Sequence, residues 1–141
     1  MQYQELIDQK VHELYWKEDV NCITASLLTL SQIFNINLYF QLLDAATGIP
    51  GAGRYGAQCG LVGSAIMLIG ILGKTKGLDH EEIVTICNEF SRGFEKQFGS
   101  LNCRDLRPQG FHPNNPPHLC EKLTKEAVLL TLNYLNMGDK K

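Results

Sequence analysis

Between His80 and Phe98 the apolar residues Ile83, Cys87, Phe90, Phe94 and Phe98 recur at intervals of three or four. That period places all five on one face of a helix and leaves the polar residues on the other. No run of alternating apolar and polar residues of useful length occurs anywhere in the chain, so nothing reads as a half-buried strand. Gln4 to Trp16 repeats the helical pattern through Leu6, Ile7, Val11 and Leu14. Asp19 and Asn21 are cap-type residues before a second helix, Cys22 to Phe34. Leu38 to Thr47 reads as a shorter third helix, closed by Gly48 and Pro50, and a fourth runs from about Cys59 to Lys74. Ser100 and Asn102 suit the cap of a short turn, Cys103 to Leu106. Pro108 to Asn115 has no periodicity. Pro116 and Pro117 suit the start of a last helix reaching about Asn136, with Leu119, Leu123, Ala127 and Leu130 on its buried stripe. The expected fold is all-α, a single-domain bundle of five or six helices over residues 1–141.

The stretch Gly48 to Gly60 is rich in glycine and precedes the fourth, central helix. Within and around that helix Gly56, Gly63, Gly70 and Gly77 fall seven apart. Glycine inside a helix costs roughly 1 kcal/mol against alanine. Gly63 and Gly70 are therefore expected to form a strip that admits a neighbouring backbone. Two nucleotide-type patterns are weak here. Gly51-Ala52-Gly53-Arg54-Tyr55-Gly56 matches GxGxxG, but a helical segment precedes it where a dinucleotide site needs a strand. Gly73-Lys74-Thr75 resembles the end of a P-loop, but the position of its first glycine is Leu68 and the tripeptide ends a helix. Lys74 reads as a favourable charge at a helix C-terminus.

Of 141 residues 44% are hydrophobic and the net charge is -2. That supplies a core and no basic footprint for nucleic acid; Lys140 and Lys141 read as a solvated tail. The most apolar run, Leu61 to Gly73, is shorter than the ~20 residues a bilayer requires. Met1 to Lys10 lacks the apolar segment of a secretory signal. A cytoplasmic location without membrane insertion is expected, where thiols stay reduced unless they react, sense or bind metal.

Five cysteines are present, and any one alone could be a small core hydrophobe. Their placement argues otherwise for four. Cys22, Cys59, Cys103 and Cys120 each fall at the predicted first turn of a helix, where unpaired N–H groups and the dipole favour a thiolate. Cys87 sits mid-helix beside Phe90 and Phe94 and reads as packing. There is no CxxC, so any common site must be assembled by the fold.

Asn21-Cys22, then Cys59-Gly60-Leu61-Val62-Gly63, then Cys103 and Cys120 resemble the C_GCAxxG_C_C family of redox-active proteins. The resemblance spans about residues 20–135. Leu61 stands where the family pattern has alanine, and Ser64-Ala65-Ile66-Met67 and Phe98-Gly99-Ser100 also fit the family's setting. The resemblance implies redox activity carried by Cys22, Cys59, Cys103 and Cys120; Cys87 matches no family position.

Three functions compete. In thiol–disulfide chemistry, Cys59 is the preferred nucleophile, on a flexible glycine approach and with Arg54 nearby, although a loop arginine is commonly just solvated. A second cysteine resolves the mixed disulfide, and Cys103 with Cys120 is the favoured pair because they are nearest in sequence. In the alternative, the four thiolates hold zinc, iron or an iron–sulfur cluster in electron transfer or sensing. His112 and His118 are then optional nitrogen ligands, each otherwise an exposed loop residue. In the third, the cysteines are inert in a helical partner-binding domain. The partners expected are a redox partner of unassigned identity and, optionally, further copies of the chain.

Overall fold

The structure, a computed structural model, describes residues 3–135. Lys140, Lys141 and the expected helix end at Asn136 lie outside the described residues. Among the described residues there are helices and no strand. The helices are α1 (Gln4–Trp16), α2 (Cys22–Phe34), α3 (Phe40–Ala45), α4 (Gly51–Arg54), α5 (Gly60–Thr75), α6 (His80–Phe98), α7 (Cys103–Leu106) and α8 (Glu121–Leu135). The five longest make the bundle. The apolar α5 runs through its middle against α2, α6 and α8, while α1 closes over α8 and α2.

Local chemistry sets the ends. Asp79 accepts from the Glu82 amide while Glu82 accepts from the Asp79 amide, each at 2.9 Å, a reciprocal cap that starts α6. Asn21 accepts from the Thr24 amide at 3.0 Å and fixes the first turn of α2 at Cys22. Phe90 and Phe94 are fully buried, whereas Cys87 and Phe98 are half-buried against the same core.

Three expectations are corrected. The third helix is shorter than Leu38 to Thr47. The last helix begins at Glu121, not at Pro116 and Pro117, because His118 takes φ 61°, which a right-handed helix cannot contain. The glycine strip also does not run the length of α5. A Cβ on Gly63 would meet Ile49 Cγ2 at 3.2 Å, but one on Gly70 would meet nothing within 4 Å. The tight contact with α6 is instead at Gly73, where a Cβ would lie 2.7 Å from Ile83.

The start of α8 is tied to α1 by polar groups. Glu121 accepts from Trp16 Nε1 at 2.8 Å, pairs with His12 at 2.7 Å and with Lys125 at 3.1 Å. Burial alone would push its carboxyl up; these partners outweigh burial and hold it at about 2. One turn further on, Thr124 meets the buried Tyr15 hydroxyl at 2.8 Å. Among the described residues one buried hydroxyl has no partner, that of Thr29 in α2. An unsatisfied buried hydroxyl costs about 1–3 kcal/mol. Thr29→Val keeps the shape and removes that group, so the urea midpoint is expected to rise at unchanged slope; a fall in the midpoint would show that the hydroxyl is satisfied.

Candidate functional site

Each of the four cysteines stands where a helix begins. Cys22 opens α2, Cys59 is the N-cap of α5, Cys103 opens α7, and Cys120 is the last residue before α8. All four line one cleft of about 550 Å³ at the end of the bundle. Cys87, on α6, is not among its lining residues.

Two backbone devices position the sulfurs. Gln58 and Asn102 form an isolated antiparallel bridge, flanked by Cys59 N–H to Leu101 O at 2.8 Å and Cys103 N–H to Ala57 O at 2.6 Å. Alternation about that pair sends the side chains of Cys59 and Cys103 to the same side, as diagonal neighbours. The second device is the absence of a side chain at Gly60. A Cβ there would lie 2.9 Å from Cys22 Sγ and 3.2 Å from Pro50 Cα, so only glycine lets the Cys22 sulfur rest against the first turn of α5.

The glycine-rich stretch has a defined backbone conformation. Gly51, Ala52, Gly53 and Arg54 all take positive φ, from 53° to 72°, and form one left-handed turn closed by Arg54 N–H to Pro50 O at 3.1 Å. The glycines accommodate this freely; Ala52 and Arg54 do so at roughly 1–2 kcal/mol each. The turn sets Arg54 at the mouth of the cleft and lays Gly51 beside Cys103, whose Sγ would be 3.4 Å from an added Cβ.

Burial governs the thiols. It pushes Cys59 up to about 11, aided by the charges of Cys103 and Cys120, while the Leu61 and Val62 amides pull the other way. Cys22 is raised more, again by burial first and then by Cys59, Cys120 and Cys103. Cys103 is raised by burial and by Cys120, with Arg107 opposing. The expected depression of the Cys59 thiol is thus corrected. The helix N–H groups do act on its sulfur, but at 4% exposure the loss of water dominates.

The other lining residues were less visible in the sequence. Arg107 donates from Nη1 to Cys120 Sγ at 3.6 Å and lies 4.1 Å over the Phe111 ring. Arg54 stacks on the same ring at 5.4 Å. His118 is not the exposed loop residue expected: its side chain is 13% exposed, packed edge-on against Trp16 at 4.6 Å and tilted against Tyr15 at 5.2 Å. His112 is exposed and lies outside the cleft lining, as a loop histidine should. The signals for His118 and Arg107 were faint: Arg107 follows Cys103 by one helical turn, and His118 sits two residues before Cys120.

The same donor set bears on the metal alternative. Among the described residues no three His, Cys, Asp or Glu side chains are grouped to hold a metal ion. No disulfide joins the cysteines, and among the described residues no helix is long and apolar enough to cross a membrane.

Comparison with known proteins gives one family. The family described as "Putative redox-active protein (C_GCAxxG_C_C)" matches residues 20–134, which include all four cleft cysteines. No curated protein and no solved structure matches the chain. With four cysteines in the family's order at four helix starts around one cleft, and a match over most of its length, the chain belongs to the C_GCAxxG_C_C family of redox-active proteins.

Proposed function

We propose that the chain is a thiol–disulfide redox protein whose working groups are Cys22, Cys59, Cys103 and Cys120. The observation that carries this reading is their shared cleft, with Cys87 left out of it. In the forward reaction a cleft thiolate attacks a disulfide substrate, a mixed disulfide forms and one substrate thiolate leaves. A second cleft cysteine loses its proton to solvent and attacks the protein sulfur of that mixed disulfide, releasing the second substrate thiolate. Two protein thiols are oxidised to one disulfide, and one substrate disulfide is reduced to two thiols. Cys103 and Cys120 are the pair we assign to this step. Cys59 and Cys22 are the second pair that stores or passes on the oxidation.

The test is a thiol count on protein reduced and purified anaerobically, then exposed to a small excess of oxidised dithiothreitol or hydroxyethyl disulfide. Mapping by mass spectrometry is expected to find two or four thiols lost, all among Cys22, Cys59, Cys103 and Cys120, with Cys87 still free. Five thiols retained after prolonged exposure would overturn the proposal. Bound zinc or iron, with thiols that react only after a chelator is added, would replace it by the metal reading.

A further inference from the structure

We infer that the cleft takes an anionic low-molecular-weight disulfide, with Cys120 as the attacking thiol and Arg54 and Arg107 as the groups that hold the substrate's carboxylates. This rests on the thiol–disulfide reading above and adds to it a substrate class and an order of events.

Charge at the mouth is the first argument. Arg54 and Arg107 both line the cleft, and neither is paired with a carboxylate among the described residues. Both lie over Phe111, which holds the two guanidinium groups near one another despite their repulsion. The one carboxylate in the lining, Asp19, points outward with 90% of its side chain exposed and meets only His118, at 3.7 Å. Two unpaired guanidinium groups against one solvated carboxylate make the mouth positive, although the whole chain carries -2. Arg54 is set there by a left-handed turn that costs strain at a non-glycine residue, the kind of outlier associated with function.

Access is the second argument. Cys59 and Cys103 are 4% and 7% exposed, and Cys22, half-buried like Cys120, has its sulfur packed against Gly60. Cys120 is half-buried, and it is the sulfur that a guanidinium N–H reaches, at 3.6 Å. That contact holds the Cys120 sulfur beside the guanidinium that would receive the substrate's carboxylate. Size is the third argument. About 550 Å³ lies within the usual range for small-ligand sites.

The step balances as follows for a disulfide RSSR with R carrying a carboxylate. Cys120 Sγ, as thiolate, bonds to one substrate sulfur while the S–S bond breaks and RS⁻ leaves to take a proton from solvent. Cys103, after losing its proton to solvent, attacks Cys120 Sγ and expels the second RS⁻. The substrate gains two electrons and the two cysteines lose them.

The experiment uses the reduced full chain and three disulfides of different charge: 3,3′-dithiodipropionate (anionic), hydroxyethyl disulfide (neutral) and cystamine (cationic). Each rate of mixed-disulfide formation is read by acid quench and mass spectrometry and divided by the rate of the same disulfide with free dithiothreitol. The normalised anionic rate is expected to exceed the neutral one by about 10-fold at low salt and the cationic one by more, shrinking as salt is added. Arg54→Gln and Arg107→Gln are each expected to remove most of that preference, and Arg107→Lys to restore part of it, with circular dichroism showing that the variants fold. Arg54 is exposed, so R54Q keeps the test open even where the Arg107 variants do not fold. The first adduct is expected on Cys120. Equal normalised rates for all three disulfides, or a first adduct on Cys22 or Cys59, would overturn this inference while leaving the redox reading intact. If none of the four cleft cysteines reacts faster than Cys87, both fall.

Discussion

Raising the pH from 9 to 11 is expected to remove about 2 kcal/mol of stability through Cys59 alone, with Cys22, Cys103 and Tyr15 adding to the loss. In the unfolded chain Cys59 ionises near its ordinary 9.0, whereas in the folded protein burial holds it to about 11. Between those values the unfolded state has already released a proton that the folded state retains. Stability is therefore fully present below pH 9 and declines as the pH rises through 11. Cys22, Cys103 and Tyr15 are displaced in the same direction, each by burial first, so their contributions have the same sign. Urea unfolding under reducing, anaerobic conditions at pH 7, 9, 10 and 11 measures the effect. Cys59→Ala should flatten part of the decline. A midpoint that stays constant from pH 9 to 11 would mean that water reaches the Cys59 sulfur in the folded protein. The same burial implies that at pH 8 Cys59 carries about 100-fold less thiolate than a free cysteine, and so alkylates slowly. This burial is one reason why we propose Cys120, rather than Cys59, as the attacking thiol.

The cysteine positions and most helix limits could be read from the sequence because local chemistry decides them. Asn21 caps α2 at Cys22, and Asp79 with Glu82 caps α6, whatever the rest of the chain does. The start of α8 could not be read in this way. Pro116 and Pro117 fit a first helical turn locally, but His118 adopts φ 61° while its ring packs on Tyr15 and Trp16, over 100 residues earlier. The same long-range packing turned an apparent loop histidine into a cleft wall. The burial of Cys59 is hidden from the sequence for a related reason. The helix N-terminus is a local feature and visible in sequence, whereas burial among three other thiols is created by the Gln58–Asn102 bridge and by the contact of Cys22 with Gly60. A helix, not a strand, precedes GxGxxG, yet what its glycines do, a left-handed turn from Gly51 to Arg54, has no sequence signature of its own.

Phe90→Ala should cost about 3–5 kcal/mol. Phe90 is fully buried, meets Tyr134 of α8 edge-on at 5.4 Å and lies 5.9 Å from Phe94. Removing its ring leaves a cavity between α6 and α8 that helices of this length cannot collapse without disturbing α5, on which both pack. Against a total stability of about 5–15 kcal/mol the loss is large enough to populate the unfolded chain measurably. Cys87→Ala, three residues earlier on the same helix, removes one half-buried sulfur and should cost only about 1 kcal/mol. Urea midpoints at constant slope separate the two. Both variants should retain disulfide exchange in their folded fraction, because neither Phe90 nor Cys87 lines the cleft. A Phe90→Ala protein as stable as the parent would show that the α6–α8 contact is not formed. A Cys87→Ala protein that lost exchange would place Cys87 in the thiol chemistry, against both its position outside the cleft and its absence from the family's four cysteines.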